Sequence, residues 1–376
     1  MSLPTQLTFE QASACAETNK DFFRKDTEVD GFKVSLFNYV LPSYSSFIDK
    51  ERGIDMFEMR GLTFVHEEKD GIIHHHRHLM LHKFFNINQT DHTLERNLTT
   101  PITHVADKID GSMIRFIRLP NGNIVAKTKM SFVSDQAIAA NKLLKSNPVL
   151  LDIVTYTLDN DVVLIFEYTS IENQIVLIYD KPQLTLLQAR RESTGEYLDI
   201  NQFDYPYKAK QFNPPPTLKD LLKLADTETN IEGWVVRFGN TFVKIKTKWY
   251  IAAHGIMVNC RPHDIAKLVI EETIDDFYGT ISDKHPMFSI AKEIEEKLSN
   301  YIMDNISEAI AMAQKVTKEN RKEFAIANHN HPMFPTIMVI ANQGEERGIK
   351  SFKKSLLKHT KQNTWGIFAS KHLNMK

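Results

Sequence analysis

Short apolar runs alternate with polar positions along the chain up to about residue 250. Runs of this kind, separated by glycine, proline and asparagine, are typical of β-strands joined by turns. The stretch 56–65 fits either a strand pair or a bulged strand with Gly61 at the irregularity. We predict strands at 34–39, 56–65, 102–106, 113–117, 124–129, 162–168, 175–178, 184–187, 231–238 and 242–249.

Helical spacing of apolar residues interrupts this β-rich region in three places. Residues 8–30 are expected to open with a helix, and 218–225 to form a short one. The stretch 134–158 has the clearest helical period. Its expected buried stripe consists of Ala137, Ala140, Leu143 and Leu144.

The pattern changes at about residue 254, where the alternation stops and helical spacing takes over. Helices are predicted at 265–274, 288–303, 306–316 and 352–357. We therefore expect an α+β chain of two domains, a β-rich domain over 1–253 and a mostly α-helical domain over 254–376.

Composition is that of an ordinary globular protein, with 42% hydrophobic and 25% charged residues. The net charge of −1 provides no global attraction to nucleic acid, so such binding would need a local basic patch. From Arg347 onward there are eight Lys or Arg and no Asp or Glu. Lys350, Lys354, Lys358 and Lys361 would share one side of a helix, either as a solvated face or as a surface for a phosphate backbone.

Nothing in the sequence indicates secretion or a membrane. The two cysteines, Cys15 and Cys260, lie far apart and form no disulfide or metal framework. The first nine residues lack the pattern of a signal peptide, and the longest apolar runs resemble 162–166, far too short for a span. We expect a cytoplasmic protein.

A lysine occupies an unusual position in Lys108-Ile109-Asp110-Gly111-Ser112, on a predicted turn between two strands. The glycine permits a close approach of the backbone to a ligand or a positive φ. A lysine whose amine is desolvated or crowded by other cations becomes a nucleophile. The ordinary alternative is a solvated Lys-Asp turn, since the motif is short.

Other polar residues stand in or beside predicted strands. Glu167 closes an apolar strand, where a carboxylate is costly without a partner. In the stretch Lys83-Phe84-Phe85-Asn86 the two aromatic rings could lie in the core with the lysine at its rim. Alternatively, these residues could surround a base and its phosphates. Histidines crowd residues 74–78, but neighbours on a strand face opposite ways, so an exposed hairpin is favoured over a metal site.

The order of these motifs resembles the covalent nucleotidyltransferase superfamily of ligases and capping enzymes. The sequence has Lys108-x-Asp-Gly-Ser, then Glu167, then Glu232-Gly233, and then Lys244-Ile245-Lys246. Further stretches resemble the bacteriophage T4 RNA ligase 1 family, over about residues 20 to 255: they are Met59-Arg60-Gly61, 83–86, 192–197 and 244–250.

That resemblance implies a fold and an activity. It implies a nucleotidyltransferase (adenylation) domain of antiparallel sheets with flanking helices, followed by an all-α domain that serves RNA specificity and has no OB-fold. The implied activity is an ATP-dependent RNA ligase that joins 5′-phosphate and 3′-hydroxyl ends. A lysine takes AMP from ATP, AMP passes to the RNA 5′-phosphate, and the 3′-hydroxyl then displaces it.

The resemblance also implies cofactors and partners. ATP and Mg²⁺, or Mn²⁺ in its place, are the expected cofactors. The expected partner is RNA, with a broken tRNA as one candidate in RNA repair, and an end-healing kinase and phosphatase is left open. The family points to a bacteriophage, a bacterial host cytoplasm and a monomer.

By the same resemblance, Lys108 is the nucleophile, and Lys244 and Lys246 contact the α-phosphate. An attacking amine must be neutral, and crowding by these two lysines and a divalent cation would lower the pKa of Lys108. The same positive groups would stabilise charge on the transferring phosphate. Glu167 would accept hydrogen bonds from the ribose, and the ligands of Mg²⁺ would be Asp110 and Glu232.

The remaining implied contacts involve the nucleotide or its β- and γ-phosphates. Arg190 is preferred to Arg191 for a phosphate role, and Phe37 stands where the family places a tyrosine. An acidic pair in the helical domain, Asp275-Asp276, is either a metal site or ordinary surface. The basic residues expected to serve the nucleotide are Arg60, Lys83, Lys127 and Lys129.

Two other functions remain in view. One is a capping or DNA-joining relative, which the lack of OB-like strands after residue 255 disfavours. The other is a catalytically silent RNA-binding protein, which has no reason to retain a buried Glu167 beside paired lysines. Labelling of the protein by ATP or GTP would separate these possibilities.

Overall fold

The computed structural model describes residues 3–40, 43–173, 175–259, 261–278 and 286–375, except for the side chains of 256–259, 276 and 286. Within it the chain forms two compact units, Met1–Ile251 and Ala252–Lys376. Cys260 lies outside the described residues.

The first unit contains all the strands found in the described residues, together with five α-helices. Its strands are β1 (Phe22–Val29), β2 (Phe32–Tyr39), β3 (Ile48–Asp49), β4 (Ile54–Asp55), β5 (Thr63–Lys69), β6 (Ile72–His78), β7 (Phe85–Asn86), β8 (Ile102–Asp107), β9 (Ser112–Arg118), β10 (Ile124–Lys127), β11 (Val162–Thr169), β12 (Gln183–Arg191), β13 (Tyr197–Leu198), β14 (Gly233–Phe238) and β15 (Thr241–Lys246). Its helices are α1 (Phe9–Thr18), α2 (Asp135–Ser146), α3 (Pro148–Asp159), α4 (Leu218–Thr227) and α5 (Lys248–Asn259), which contains the boundary with the second unit.

Three larger sheets organise this unit. The first has the order β1-β2-β5-β6, the second β10-β9-β11-β12-β13 and the third β7-β15-β14-β8. The paired strands are antiparallel except for β7 and β15, which run parallel. The expected α+β class with antiparallel sheets is therefore confirmed.

Helices cover the outer faces of the second and third sheets. Ala140 of α2 and Leu150 of α3 pack with Phe166 of the second sheet. Leu221 of α4 packs with Trp234 and Ile245 of the third. Apolar residues from the other faces of these two sheets, such as Met113, Ile165 and Phe242, share a further cluster. The inner faces thus stand on either side of the same space.

The predicted helix 134–158 is two helices because of one dipeptide. Asn147 caps α3 by accepting from the Leu150 amide, and Pro148 begins that helix because it cannot continue the one before. Ala137, Ala140 and Leu144 are buried as expected, while Leu143 is only partly buried.

Two of the strand predictions are wrong. The stretch 56–65 contains a 3₁₀ turn, Phe57–Met59, before β5, and Gly61 takes a φ of +75° between them. A Cβ on Gly61 would lie 2.7 Å from the Met80 sulfur, so only glycine suits this bend. Residues 175–178 form no strand where they are described, because the Asp110 carboxylate binds their amides. Strand β1 was also missed.

The second unit is helical throughout its described residues. Its predicted helices 288–303 and 306–316 are one continuous 28-residue helix that ends earlier, at Ala313. This long helix packs with residues such as Ile265, Ile337 and Phe352 in a single core. The helices are α6 (Pro262–Ile270), α7 (Ile274–Tyr278), α8 (Pro286–Ala313), α9 (Arg321–Asn328), α10 (Phe334–Gln343), α11 (Glu345–Leu356) and α12 (Trp365–Leu373).

The expected basic stripe is not carried by a single helix. Lys350 and Lys354 belong to α11, but Lys358 lies in the 3₁₀ turn that follows and Lys361 lies beyond it. Among the described residues, no helix has the length and apolarity that a bilayer span requires.

Candidate active site

A cavity of about 600 Å³ lies in the first unit, lined by residues of both the second and the third sheet. This volume is in the range of small-molecule sites. The residues expected from the sequence that line it are Arg60, Lys108, Lys129, Glu167 and Lys244.

The turn that carries Lys108 is held close to two neighbouring strands. The Lys108 amide donates to the Gly233 carbonyl at 2.8 Å. A Cβ on Gly111 would overlap the carbonyl oxygen of Tyr168, at the end of β11. The glycine of this motif therefore permits the turn to approach the backbone of β11 closely. This brings Lys108 near Glu167, which precedes Tyr168 on β11.

Asp110 acts as the anchor of this turn. One carboxylate oxygen accepts from the amides of Val176 and Leu177 at 2.9 and 3.0 Å, and the other accepts from the Tyr250 hydroxyl at 2.8 Å. The side chain is buried and does not line the cavity. Its expected metal role is therefore not apparent in this arrangement, in which both oxygens have protein donors.

Glu232 joins two of the expected catalytic lysines. Its Oε2 lies 2.6 Å from Lys108 Nζ and its Oε1 lies 2.9 Å from Lys246 Nζ. The carboxylate is almost wholly buried, and Lys246 also lies over the ring of Tyr250 at 4.8 Å. The sequence led us to expect positive charges around Lys108, and the structure adds this acid as its ion-pair partner.

Burial raises the pKa of Glu167 from 4.5 to about 7. The positive charges of Lys108 and Arg60 oppose that shift, while the negative charges of Glu232 and Asp110 add to it. Near neutral pH this carboxyl is thus close to the midpoint of its titration. A cation or a hydrogen-bond donor entering the cavity would favour its ionised form.

Lys244 shows the crowding that the sequence predicted for Lys108. Burial, and then the charges of Arg60, Lys108 and Lys83, lower the pKa of Lys244 from 10.5 to about 6. Its ammonium position lies 4.7 Å from the ring centre of Phe84, which also lines the cavity. A bound phosphate would favour protonation of this amine.

Two buried polar atoms at the cavity wall have no hydrogen-bond partner among the described residues: Nη1 of Arg60 and Oδ1 of Asn38. Unpaired buried polar groups are rare because each forfeits its interaction with water. The Arg60 guanidinium is a donor suited to a phosphate, and the Asn38 oxygen is an acceptor suited to a hydroxyl or amino group. The donor and acceptor chemistry of the cavity wall therefore fits a nucleotide.

Three residues expected at the nucleotide lie elsewhere. Phe37 is fully buried and packs edge-on against Phe64. Lys127 is fully buried and donates to the Gly61 carbonyl at 3.0 Å, and burial lowers its pKa well below 10.5. Arg190 is fully buried and pairs with Glu58. Each supports the framework around the cavity.

Lys83 is neither part of the main cavity wall nor fully buried. Its ammonium is over the rings of Phe85 at 4.8 Å and Tyr39 at 5.2 Å. Burial, and then the charges of Arg60 and Lys129, lower the pKa of Lys83 to about 8.

The expected second metal site is not assembled within the described residues. Asp275 is exposed on α7, and the side chain of Asp276 lies outside the described part of the chain. The histidines of β6 belong to the hairpin with β5, as expected, where His75 meets His66 at 2.7 Å. No group of three or more His, Cys, Asp or Glu suited to a metal occurs among the residues that the structure describes.

Sequence reasoning missed three polar residues of this region. Asn38 and Gln188 line the cavity, and Glu58 is the buried partner of Arg190. Strand alternation could have indicated Asn38, because it faces away from Phe37 and lies next to it. No local signal marks Glu58, whose partner is 132 positions away.

Known proteins resemble this chain in sequence. A family model described as RNA ligase matches residues 58–250. A protein of Thermovibrio ammonificans, provisionally named an RNA ligase, is 26% identical over 328 residues, which are 83% of this chain and 80% of that protein.

Two solved structures give lower similarity. An archaeal ATP-dependent RNA ligase is 12% identical with a TM-score of 0.43, over 87% of this chain and 88% of that one. A variant of the Naegleria gruberi RNA ligase with ATP and Mn is 16% identical with a TM-score of 0.34, over 43% of this chain. The chain spans 53% of that ligase.

Proposed function

The chain belongs to the RNA ligase family matched over residues 58–250 and is a ligase, and from this premise we propose an ATP-dependent enzyme that joins RNA 5′-phosphate and 3′-hydroxyl ends. The observation that carries the proposal is the position of Lys108. This lysine lines a nucleotide-sized cavity whose wall also holds Arg60, with an unpaired Nη1, and the Glu167 carboxylate. A silent RNA-binding relative would need neither that amine nor that cavity.

We assign the chemistry to the first unit. Nζ of Lys108 forms a bond to the α-phosphorus of ATP, the bond to pyrophosphate breaks, and the amine releases a proton. The RNA 5′-phosphate then takes AMP from the lysine. Finally the RNA 3′-hydroxyl attacks that activated end, so that a phosphodiester forms and AMP leaves.

The proton that Lys108 must lose lies against Glu232. Its Oε2 is 2.6 Å from the amine, which makes Glu232 the carboxylate placed to accept that proton or to share it. Lys246 holds the other oxygen of Glu232 and so limits its movement. We propose that Lys246 acts chiefly through this contact and that Lys244 meets the phosphate.

Arg60 and Lys129 line the same cavity and suit the β- and γ-phosphates, because both carry donors for phosphate oxygens. Glu167 suits the ribose hydroxyls as an acceptor. A divalent cation, Mg²⁺ or Mn²⁺, would neutralise charge on the phosphates, and Glu232 would hold it once one of its oxygens leaves Lys108 or Lys246. Asp110 would have to release its contacts with the turn or with Tyr250 to do the same.

We propose that the helical unit provides RNA specificity. From Arg347 onward it has eight basic and no acidic residues, which favours contact with a phosphate backbone. The biological role we infer is repair of broken RNA, with tRNA as one candidate substrate.

The direct test is joining of a 5′-labelled RNA strand. Wild-type protein with ATP and Mg²⁺ should convert the labelled end to a phosphatase-resistant form, through an adenylylated RNA, whereas Lys108→Ala should do neither. GTP in place of ATP, or DNA in place of RNA, separates the capping and DNA-joining alternatives. Binding of RNA without joining by the wild-type protein would refute the proposal.

A further inference from the structure

A second cavity, of about 230 Å³, shares a wall with the first. Phe84 and Phe242 line both of them. Strand β7 borders this region, and its Phe85 pairs with Val243 of β15, next to Lys244. The second cavity is therefore a neighbour of the reacting groups.

The walls of the second cavity combine aromatic rings with a cation. Tyr44 and His92 lie with ring centres 4.4 Å apart and planes 31° from each other, and Tyr44 meets Phe57 at 6.0 Å and 30°. All three line the cavity and are only partly buried, so part of each ring is accessible. Aromatic faces of this kind stack on nucleobases regardless of their sequence.

The positive charges nearby connect the two cavities. Lys83 lines the second cavity, while Arg60 and Lys129 line the first, and both of these charges lower the pKa of Lys83. The charges of the three residues therefore affect one another across the shared wall. A nucleic-acid backbone running from one cavity to the other would pass them.

Resting on the proposed function, we infer that the second cavity, defined here by Tyr44, Phe57, Lys83, Phe85 and His92, holds a nucleobase of the RNA end being joined. The rings stack on the base and Lys83 faces its phosphate. The base belongs either to the 5′-phosphate strand, which must reach the AMP on Lys108, or to the 3′-hydroxyl strand, which must reach the adenylylated 5′ end.

The test uses the full-length protein with Tyr44→Ala and His92→Ala. The probe is a short fluorescent single-stranded RNA, whose dissociation constant is measured by anisotropy. Stacking contributes about 1–3 kcal/mol per base, so each variant should bind about 5- to 150-fold more weakly. Tyr44→Phe keeps the ring and should bind as wild type does.

Tyr156 offers a matched control, because it is 64% exposed on α3 and lines neither cavity. Tyr156→Ala should leave RNA binding unchanged. Lysyl-AMP formation in the absence of RNA should be the same in all four variants. Wild-type RNA affinity in both Tyr44→Ala and His92→Ala, or an equal loss of lysyl-AMP formation, would overturn the inference.

Two kinetic measurements identify the strand. A raised KM for transfer of AMP to the 5′-phosphate strand assigns the base to that strand. A raised KM for the acceptor, when a pre-adenylylated strand is supplied, assigns it to the 3′-hydroxyl strand. If the wild-type protein made no lysyl-AMP, the proposed function would fail, whereas the anisotropy measurement would still decide on the cavity.

Discussion

Replacing Arg190 with methionine should destabilise the protein far more than the same change at its neighbour Arg191. Arg190 is fully buried, and its guanidinium makes two bonds to the equally buried Glu58, at 2.5 and 3.0 Å. Burial alone would lower the pKa of Arg190, but Glu58, Tyr197 and Glu192 together hold the pKa above its ordinary value. Arg190 therefore carries its charge at any ordinary pH.

The expected magnitude follows from the charge left behind. Arg190→Met leaves the Glu58 carboxylate buried without its cation, which costs about 3–5 kcal/mol. Arg191 lies 3.9 Å from Glu196, and the two side chains are 46% and 59% exposed, so solvent screens this pair. Arg191→Met should cost about 0–1 kcal/mol.

Urea unfolding of the two variants measures this difference. The double variant Glu58→Gln, Arg190→Met should recover part of the loss, because the unpaired charge is gone. Two outcomes would refute the reasoning. One is equal stability of the two methionine variants, and the other is a stable Arg190→Met protein with a raised KM for ATP, which would return Arg190 to the phosphate role expected from the sequence.

Three other experiments test the electrostatics in and around the cavity. The pKa of Glu167 is raised to about 7, so the folded protein should lose stability as pH rises from 4.5 to 7. Glu167→Gln should remove that part of the pH dependence in urea unfolding. Identical pH profiles of the wild type and the variant would contradict the burial argument. The pKa of Lys244 is lowered to about 6, so its amine should be neutral at pH 8 and should take up a proton when ATP binds. Calorimetry in buffers of different ionisation enthalpy should therefore show more proton uptake on ATP binding at pH 8 than at pH 5. Equal uptake at the two pH values would be inconsistent with a neutral amine. Lys127→Met should keep or raise stability, since it removes a buried amine while the Thr63 hydroxyl still donates to the Gly61 carbonyl. It should nevertheless raise the KM for ATP, because that carbonyl, next to Arg60, loses one of its two donors. An unchanged KM would argue against this support.

The parts of the fold that local pattern determines were predictable from sequence. Strand alternation places Lys244 and Lys246 on one face of β15, and the same face carries Phe242 into the cavity. The same rule does not apply to Lys127 and Lys129, because β10 ends at Lys127. Lys127 is consequently buried while Lys129 lines the cavity.

Contacts between distant parts of the chain were not predictable. The apolar run 175–178 has the composition of a strand, but the Asp110 carboxylate holds it as a loop from 66 positions away. Arg190 has the chemistry of a phosphate ligand, yet it forms a salt bridge with the buried Glu58. In both cases the residue type is informative and the partner decides the role.

The covalent attachment of AMP to Lys108 is the central claim, and mass spectrometry tests it directly. The wild-type protein incubated with ATP and Mg²⁺, without RNA, should give one peptide that contains Lys108 and carries AMP, and Lys108→Arg should give none. AMP on another residue, or RNA joined at the wild-type rate by Lys108→Ala, would contradict it.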